Sequence, residues 1–225
     1  MKKEIVYVFC LLIIAGAGCK SPTGPSAKTG EGMITYSVTY PDSSAYGIKA
    51  MFFPKTITLV FKDDRAAFIA TGGLGMVQLV NLLDYRRKNY TSLLIDNLRG
   101  NYACTLSSEE IKQNENNPGY TIEVTNKMKT IAGIECTKAI VTDKASHSSF
   151  DIYYYDKIKF YYRNSPFKDF NNLLFEYTHT INHLTMKLVA TKVDFTTPVD
   201  TTLFNVRGNY KWVNQKAFFD HLNEL

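Results

Sequence analysis

Residues 33–40 read MITYSVTY, in which the apolar Ile34, Tyr36 and Val38 alternate with Thr and Ser. Because successive side chains of a strand point to opposite faces of a sheet, this period of two predicts a β-strand with one face in a core. The β-branched and aromatic residues of the stretch favour the same structure. The chain is therefore expected to fold around a sheet with one apolar face.

The same alternation returns along most of the chain, separated by short runs of Asp, Asn and Gly that are typical of turns. The other predicted strands are 56–61, 65–70, 76–83, 89–95, 102–106, 120–125, 137–142, 149–155, 173–180 and 184–195. Helical signals are confined to 107–113 and 217–225, while 167–172 fits a loop or one helical turn. The pattern predicts a mainly β fold, a curved antiparallel sheet with a few short helices.

The beginning of the chain has the composition of an export signal followed by a tether. Two lysines precede the apolar run IVYVFCLLII at 5–14, and small residues at 15–18 lead to Cys19. Because a membrane-spanning helix needs about 20 apolar residues, residues 1–18 are interpreted as a cleaved signal peptide. Residues 19–30 are rich in Pro, Gly and Ser and predict a flexible tether. One folded domain is expected over residues 31–225.

Cys19 is the predicted site of lipid attachment. The stretch Gly16-Ala17-Gly18-Cys19 resembles the lipobox of bacterial lipoproteins, although Gly16 stands where Leu is commonest. A lipid on Cys19 would hold the protein at a membrane, and an ordinary secreted protein is the alternative. Lys20 is not the Asp that marks inner-membrane retention in some bacteria, so the expected location is the outer membrane, facing the periplasm.

The net charge of +5 is spread along the chain. Arg86, Arg87 and Lys88 form the one tight basic cluster, at a place where a turn is expected. Nucleic-acid binding requires a basic face with interleaved aromatic residues along one element. The cluster is interpreted as a solvated turn, and no nucleic acid is expected as a partner.

Two cysteines, Cys104 and Cys136, remain beyond the signal peptide and the lipid site. In an oxidising periplasm they can pair, and such a link would stabilise the fold by about 3 to 4 kcal/mol. A disulfide needs Cα atoms within about 7 Å of each other. The sequence therefore leaves open a disulfide and a pair of buried thiols.

No motif assembles a catalytic or metal site. His179 and His183 have the spacing of a zinc-binding helix, but Thr180 stands where a metalloprotease has Glu, and the pair flanks a predicted turn. Ser146-His147-Ser148 has no nucleophile elbow nearby. The GGLG stretch at 72–75 lacks the Lys of a phosphate-binding loop. The prediction is a protein that is not an enzyme, with no cofactor, no metal ligand and no catalytic residue.

Several stretches together resemble a family of Gram-negative lipoproteins. They are EGMITY at 31–36, LLDY at 82–85 with KNY at 88–90, KTIAGIECTKA at 129–139 and TLFNVRGNYK at 202–211. The sequence is similar to DUF-type lipoproteins related to the GLPGLI group, for which the half-barrel fold of the lipoprotein carriers LolA and LolB is expected. The resemblance implies a curved antiparallel sheet around an apolar cavity, and it assigns no catalytic residue.

Two functions follow, and the sequence leaves both open. In the first, the anchored domain binds a hydrophobic ligand, a lipid or an acyl chain, in an apolar cavity. The candidate lining residues, which equally fit an ordinary core, are Ile34, Tyr36, Val38, Ile57, Leu59, Phe61, Phe150, Ile152 and Tyr154. In the second, the core is filled, and the domain is a structural or interaction lipoprotein that meets an envelope protein.

Overall fold

The computed structural model describes residues 30–106, 119–162, 167, 170–181 and 184–224. Within these residues the chain forms one sheet of twelve strands. The predicted signal peptide, Cys19 and the tether up to residue 29 lie outside the described residues, as does the predicted helical turn at 107–113. No helix in the described part of the chain has the length and apolar composition needed to cross a bilayer.

The first six strands are β1 (Glu31–Thr39), β2 (Thr56–Lys62), β3 (Arg65–Gly72), β4 (Val77–Asp84), β5 (Asn89–Asp96) and β6 (Gly100–Thr105). The others are β7 (Tyr120–Ile131), β8 (Ile134–Asp143), β9 (Ser149–Tyr155), β10 (Leu173–Ile181), β11 (Leu184–Asp194) and β12 (Lys211–Trp212). Short 3-10 segments occupy Ser43–Phe52, Gly73–Gly75 and Thr201–Phe204. Near the C-terminus lies α1 (Gln215–Asn223).

Across the sheet the strands run in the order β12, β6, β5, β4, β3, β2, β1, β11, β10, β9, β8, β7. Two antiparallel meanders, β1 to β6 and β7 to β11, are joined where β1 pairs with β11. Only β12 is parallel to its neighbour, β6. The sheet is open, with β7 and β12 at its edges, and the predicted fold class, mainly β with a curved antiparallel sheet, is confirmed.

The hairpin of β7 and β8 is longer than the sequence pattern predicts. Its strands meet at Ala132-Gly133, where both residues have positive φ (48° and 79°), although the alternation of apolar residues ends near residue 125. Positive φ at both central residues matches a two-residue turn to the twist of the strands. Residues 126–130 are mostly polar and show no alternation of apolar and polar side chains, so the sequence pattern does not predict this extension of the strand.

The inner face of the sheet is defined here as the face that carries Tyr36. Its cross-strand partners Ile57, Ala70 and Leu79 follow on β2, β3 and β4. Most of the buried apolar side chains pack on this face in one main cluster, which extends over β1, β2 and β8 to β11. The β6 side of the inner face is covered by α1, where Phe218 packs on Leu94.

Among the described residues, the opposite, outer face is covered by apolar side chains on the β3 to β6 side. There Leu93 and Ala103 pack with Phe204 and Tyr210 from the chain that precedes α1. Every strand and cluster of the described structure is formed by residues 31–222. The segment from Gly30 to Leu225 thus contains a complete core.

The two ends of the sheet are distinct. At the entry end, the carbonyl of Gly30 accepts a hydrogen bond of 2.7 Å from the N–H of Asp63 in the β2–β3 turn. The β9–β10 connection leaves from the same end, since Tyr155 and Leu173 are paired there. Antiparallel pairing puts the β1–β2, β3–β4 and β5–β6 connections at the opposite, distal end.

Candidate functional site

The structure brings all of the candidate cavity-lining residues together. Buried in the main cluster are Ile34, Tyr36, Val38, Leu59, Phe61, Ile152 and Tyr154, with Ile57 and Phe150 partly buried against them. Ile34, Tyr36 and Leu59 have 0% accessible surface. A side chain beside a cavity that admits water keeps some accessible surface. These side chains therefore lie in closed contact with neighbours rather than around an open space.

The chain between β9 and β10 is called the inner segment below, and its described residues, 156–162, 167 and 170–172, fill the space in front of the inner face. Its described side chains Ile158, Phe160, Tyr162, Phe167 and Phe170 are all buried. The ring of Phe160 lies 5.6 Å from that of Phe61, and the ring of Phe170 lies 4.9 Å from that of Tyr154, both edge to face. Such ring pairs add to the stabilisation from burial.

A ligand could occupy this space only after displacing the inner segment. Burial of each large apolar side chain is worth about 2 kcal/mol, so exposing these five costs on the order of 10 kcal/mol. That cost is close to the entire binding free energy of a nanomolar ligand. The conformational entropy that the released chain regains would offset part of it. The packing strongly favours the filled interior.

Two tyrosines hold the inner segment and β1 to one backbone position, Leu174. The hydroxyl of Tyr36 donates to the Leu174 carbonyl at 2.8 Å, and the Leu174 N–H donates to the Tyr162 hydroxyl at 2.8 Å. Leu174 lies where the register between β9 and β10 shifts, so its backbone groups take partners outside the strand ladder. Burial raises the pKa of both tyrosines well above the usual value, and both stay protonated.

Glu176 on β10 bridges two other strands through lysines. Its carboxylate lies 2.6 Å from Nζ of Lys129 on β7 and 2.8 Å from Nζ of Lys187 on β11. Burial raises the pKa of Glu176, but the hydrogen bonds from both lysines outweigh it and bring the pKa below its usual value. A carboxylate held ionised in this way is unsuited to donate a proton at neutral pH. The cluster draws the edge strand towards the middle of the sheet.

His179 lies on β10, opposite Met186 of β11. Its ring is 6.3 Å from that of Phe167, and its Nδ1 is buried with no hydrogen-bond partner among the described residues. Burial lowers the pKa of His179 to about 4. His183, the second histidine of the pair that has the spacing of a zinc-binding helix, lies outside the described residues. Within the described ranges, no three His, Cys, Asp or Glu side chains converge as metal ligands would.

The described surface has a small cavity and an open dent, and the small cavity lies at the edge of the main cluster. A cavity of about 50 Å³ at the entry end is lined by Phe61, Asp63, Tyr85 and Phe160, among others. An open dent of about 430 Å³ lies over Met33, Thr35, Lys192, Val193 and Asp194. Pockets that enclose a small ligand have volumes of about 300 to 1,000 Å³. The first depression is too small for an acyl chain, and the second is open to solvent.

The disulfide considered for Cys104 and Cys136 is absent from the structure, and both residues are buried thiols. Cys104 packs under α1, whereas Cys136 belongs to the main cluster. Their strands, β6 and β8, lie near opposite edges of the sheet, which explains why they do not bridge. Burial raises the pKa of Cys136 to about 12, so its thiol is unreactive.

The other motifs singled out in the sequence lie in turns. Residues 86–88 are exposed in the β4–β5 turn, and residues 72–75 end β3 and form the turn before β4. In the β8–β9 turn, the hydroxyls of Ser146 and Ser148 lie 2.7 Å apart and bond to each other. These placements match the interpretation of each motif as a turn.

The sequence interpretation missed the inner segment. Residues 156–172 contain Ile158, Phe160, Tyr161, Tyr162, Phe167 and Phe170, and the alternation at 158, 160 and 162 is short and is followed by Asn, Ser and Pro. A connection between strands is usually polar because it runs over the surface. An aromatic-rich connection is therefore the signal that would have predicted a segment folded into the interior.

No family model and no characterised protein sequence matches the chain. Among solved structures, the chain is similar to two structures of PNGF-II, one in a C2 and one in a P21 space group. Both have a TM-score of 0.52, with 13% and 14% identity over 87% of this chain. This chain spans about a third of their length, 33% and 34%. At this identity the likeness shows the fold alone, and the resemblance to GLPGLI-related lipoproteins stays a prediction.

Removing either tyrosine hydroxyl should destabilise the protein. We expect Tyr36→Phe and Tyr162→Phe each to lower the free energy of unfolding by about 1 to 3 kcal/mol, because a backbone group of Leu174 stays buried without a partner. Urea unfolding measures the change. Tyr161→Phe is the control, since Tyr161 is 56% exposed in the same segment. Equal, small effects of all three substitutions would contradict the role assigned to the hydroxyls.

His179 should make stability fall with acidification. The folded chain protonates His179 near pH 4 and the unfolded chain near pH 6.5, so the unfolded state binds more protons between these values. Stability is then lost as the pH falls from about 6.5 to 4, by up to about 3 kcal/mol. His179→Leu should abolish this loss in urea unfolding at a series of pH values. His147→Asn, in an exposed turn, is the control and should keep it.

Proposed function

We propose that this chain is a membrane-anchored lipoprotein of the cell envelope that acts by surface interaction and is not an enzyme. The observation that carries the proposal is the filled interior. The inner segment occupies the space that a carrier would reserve for its ligand, and Ile34, Tyr36 and Leu59 retain no accessible surface. Of the two functions that the sequence leaves open, the packing supports the interaction protein.

The anchor is supported by the sequence and by the position of Gly30. Cys19 follows small residues and an apolar run, and 19–30 reads as a tether. Gly30 lies at the entry end, beside the β2–β3 turn. A lipid on Cys19 would hold the domain by this end. The distal end then belongs to the part of the surface that is free to meet a partner.

The titratable groups of the interior support a role without catalysis. Glu176 is neutralised by two lysines, and the thiol of Cys136 has its pKa raised by burial. Both groups serve the packing of the sheet rather than a cleft. The surface, and not the interior, is therefore the part of the molecule through which we expect it to act.

Mass spectrometry of the full-length protein purified from membranes tests the proposal. We expect a covalent lipid on the N-terminal Cys19 peptide and no stoichiometric lipid released by organic extraction, because the inner segment fills the interior. Cys19→Ser is the matched control, and it should lack the covalent lipid.

A lipid extracted in a one-to-one ratio from both the wild type and Cys19→Ser would contradict the filled interior and favour the carrier. An unmodified Cys19 in protein from the membrane fraction would instead contradict the anchor. The two parts of the proposal thus fail separately.

A further inference from the structure

The distal end of the sheet carries an unusual set of exposed apolar side chains. They belong to the β1–β2, β3–β4 and β5–β6 connections and are Ile48, Met51, Phe52, Leu74, Met76 and Leu98. Leu74, Ile48 and Leu98 are 81%, 79% and 77% exposed. Isolated exposed apolar residues are normal, but a group of them at one end of a molecule marks an interaction surface. These three connections are called the distal loops below.

The distal loops are packed against one another. A Cβ atom at Gly72 would lie 2.5 Å from the carbonyl oxygen of Phe52, so only glycine lets the β1–β2 connection approach the β3–β4 turn this closely. The N–H of Asn97 donates to the carbonyl of Met76 at 3.1 Å and joins the β5–β6 turn to the same group. The three loops therefore hold their apolar side chains on one fixed support.

Leu74 is held at the tip in a strained conformation. Its φ is 56°, between Gly73 and Gly75, which also have positive φ. A left-handed conformation is unfavourable for a residue with a Cβ atom, and burial of the leucine does not offset this cost, since the side chain is exposed. The turn exposes an aliphatic side chain where a polar residue or glycine would be more stable.

The distal loops carry an excess of basic charge. Residues 40–55, 73–76 and 97–99 contain Lys49, Lys55 and Arg99 and one acidic residue, Asp42, close to the end of β1. Lys49 and Lys55 form no ion pair with a described residue, whereas Arg99 lies 3.5 Å from the carboxylate of Asp96 at the base of its turn. The surface is thus apolar at its tips and basic beside them.

We propose that the distal loops insert into the surface of a bilayer that contains anionic phospholipids. Aliphatic tips enter the boundary between headgroups and acyl chains, and neighbouring Lys and Arg side chains meet the lipid phosphates. This inference rests on the proposed interaction role and names its partner. Separate tips on three loops suit a fluid lipid surface better than a protein groove, which requires a continuous complementary shape.

The tether permits contact with the membrane that holds the anchor. Residues 20–30 can extend over about 35 Å, and the nine residues of β1, which separate the entry end from the distal end, span about 30 Å. A domain anchored through Cys19 can therefore turn its distal loops to the same bilayer.

Flotation of residues 30–225, the segment with the complete core, with lipid vesicles tests the proposal without the lipid anchor. We expect the protein to float with phosphatidylcholine vesicles that contain phosphatidylglycerol, and less at higher salt, which screens the lysines. Ile48→Ser and Leu74→Ser should each weaken binding roughly tenfold, since each removes one buried aliphatic side chain. Val124→Ser, on β7 and 59% exposed, is the matched control and should bind as the wild type does.

Urea unfolding should show that all three variants keep the wild-type stability or exceed it. Absence of the wild type from the floating fraction, or equal flotation of wild type and Leu74→Ser, would overturn the proposal. So would equal binding to vesicles of phosphatidylcholine alone, or a dimer in sedimentation that Leu74→Ser dissociates. These results would leave the extraction experiment on the interior unaffected, so the two proposals fail independently.

Discussion

The hydrogen bonds at Leu174 join the parts of the molecule that form its interior. Tyr36 comes from the strand that unites the two meanders, Tyr162 from the inner segment, and both bind the backbone of one residue in β10. A buried backbone N–H or carbonyl without a partner costs about as much as several buried methyl groups contribute. The register shift in β10 is therefore tolerated only while both hydroxyls are in place, and the aromatic packing around them depends on the same geometry.

The sheet itself was predictable because its residues alternate. In β1 and β9, one face meets a core and the other is more exposed, so the pattern in the sequence reflects the physical constraint directly. The predicted length of β7 was wrong because contacts with residues distant in the sequence fix this strand. The second half of β7, residues 126–131, is mostly polar, and its pairing with β8 and the ion pair of Lys129 with Glu176 hold it in place. No local pattern in the sequence indicates either partner.

The candidate site was predictable as a set of residues but not as a chemical environment. Alternation places Tyr36, Leu59 and Ile152 on one face, and the structure brings them together. Whether such a face lines a cavity or a core depends on what lies in front of it. Here that is the connection that carries Phe160 and Phe167, where the only alternation is the short one at 158, 160 and 162. The proposed function moves from the interior to the surface for this reason, and the distal loops are where the exposed apolar surface and unpaired basic charge coincide.

The central claim is that the interior is dry and filled, and amide hydrogen exchange at Leu174 tests it most directly. The N–H of Leu174 donates to the buried hydroxyl of Tyr162, so we expect it to exchange only through global unfolding, as slowly as the most protected amides of the sheet. Exchange at the rate of a distal-loop amide such as that of Lys49 would show that water reaches the interior, and it would contradict the account.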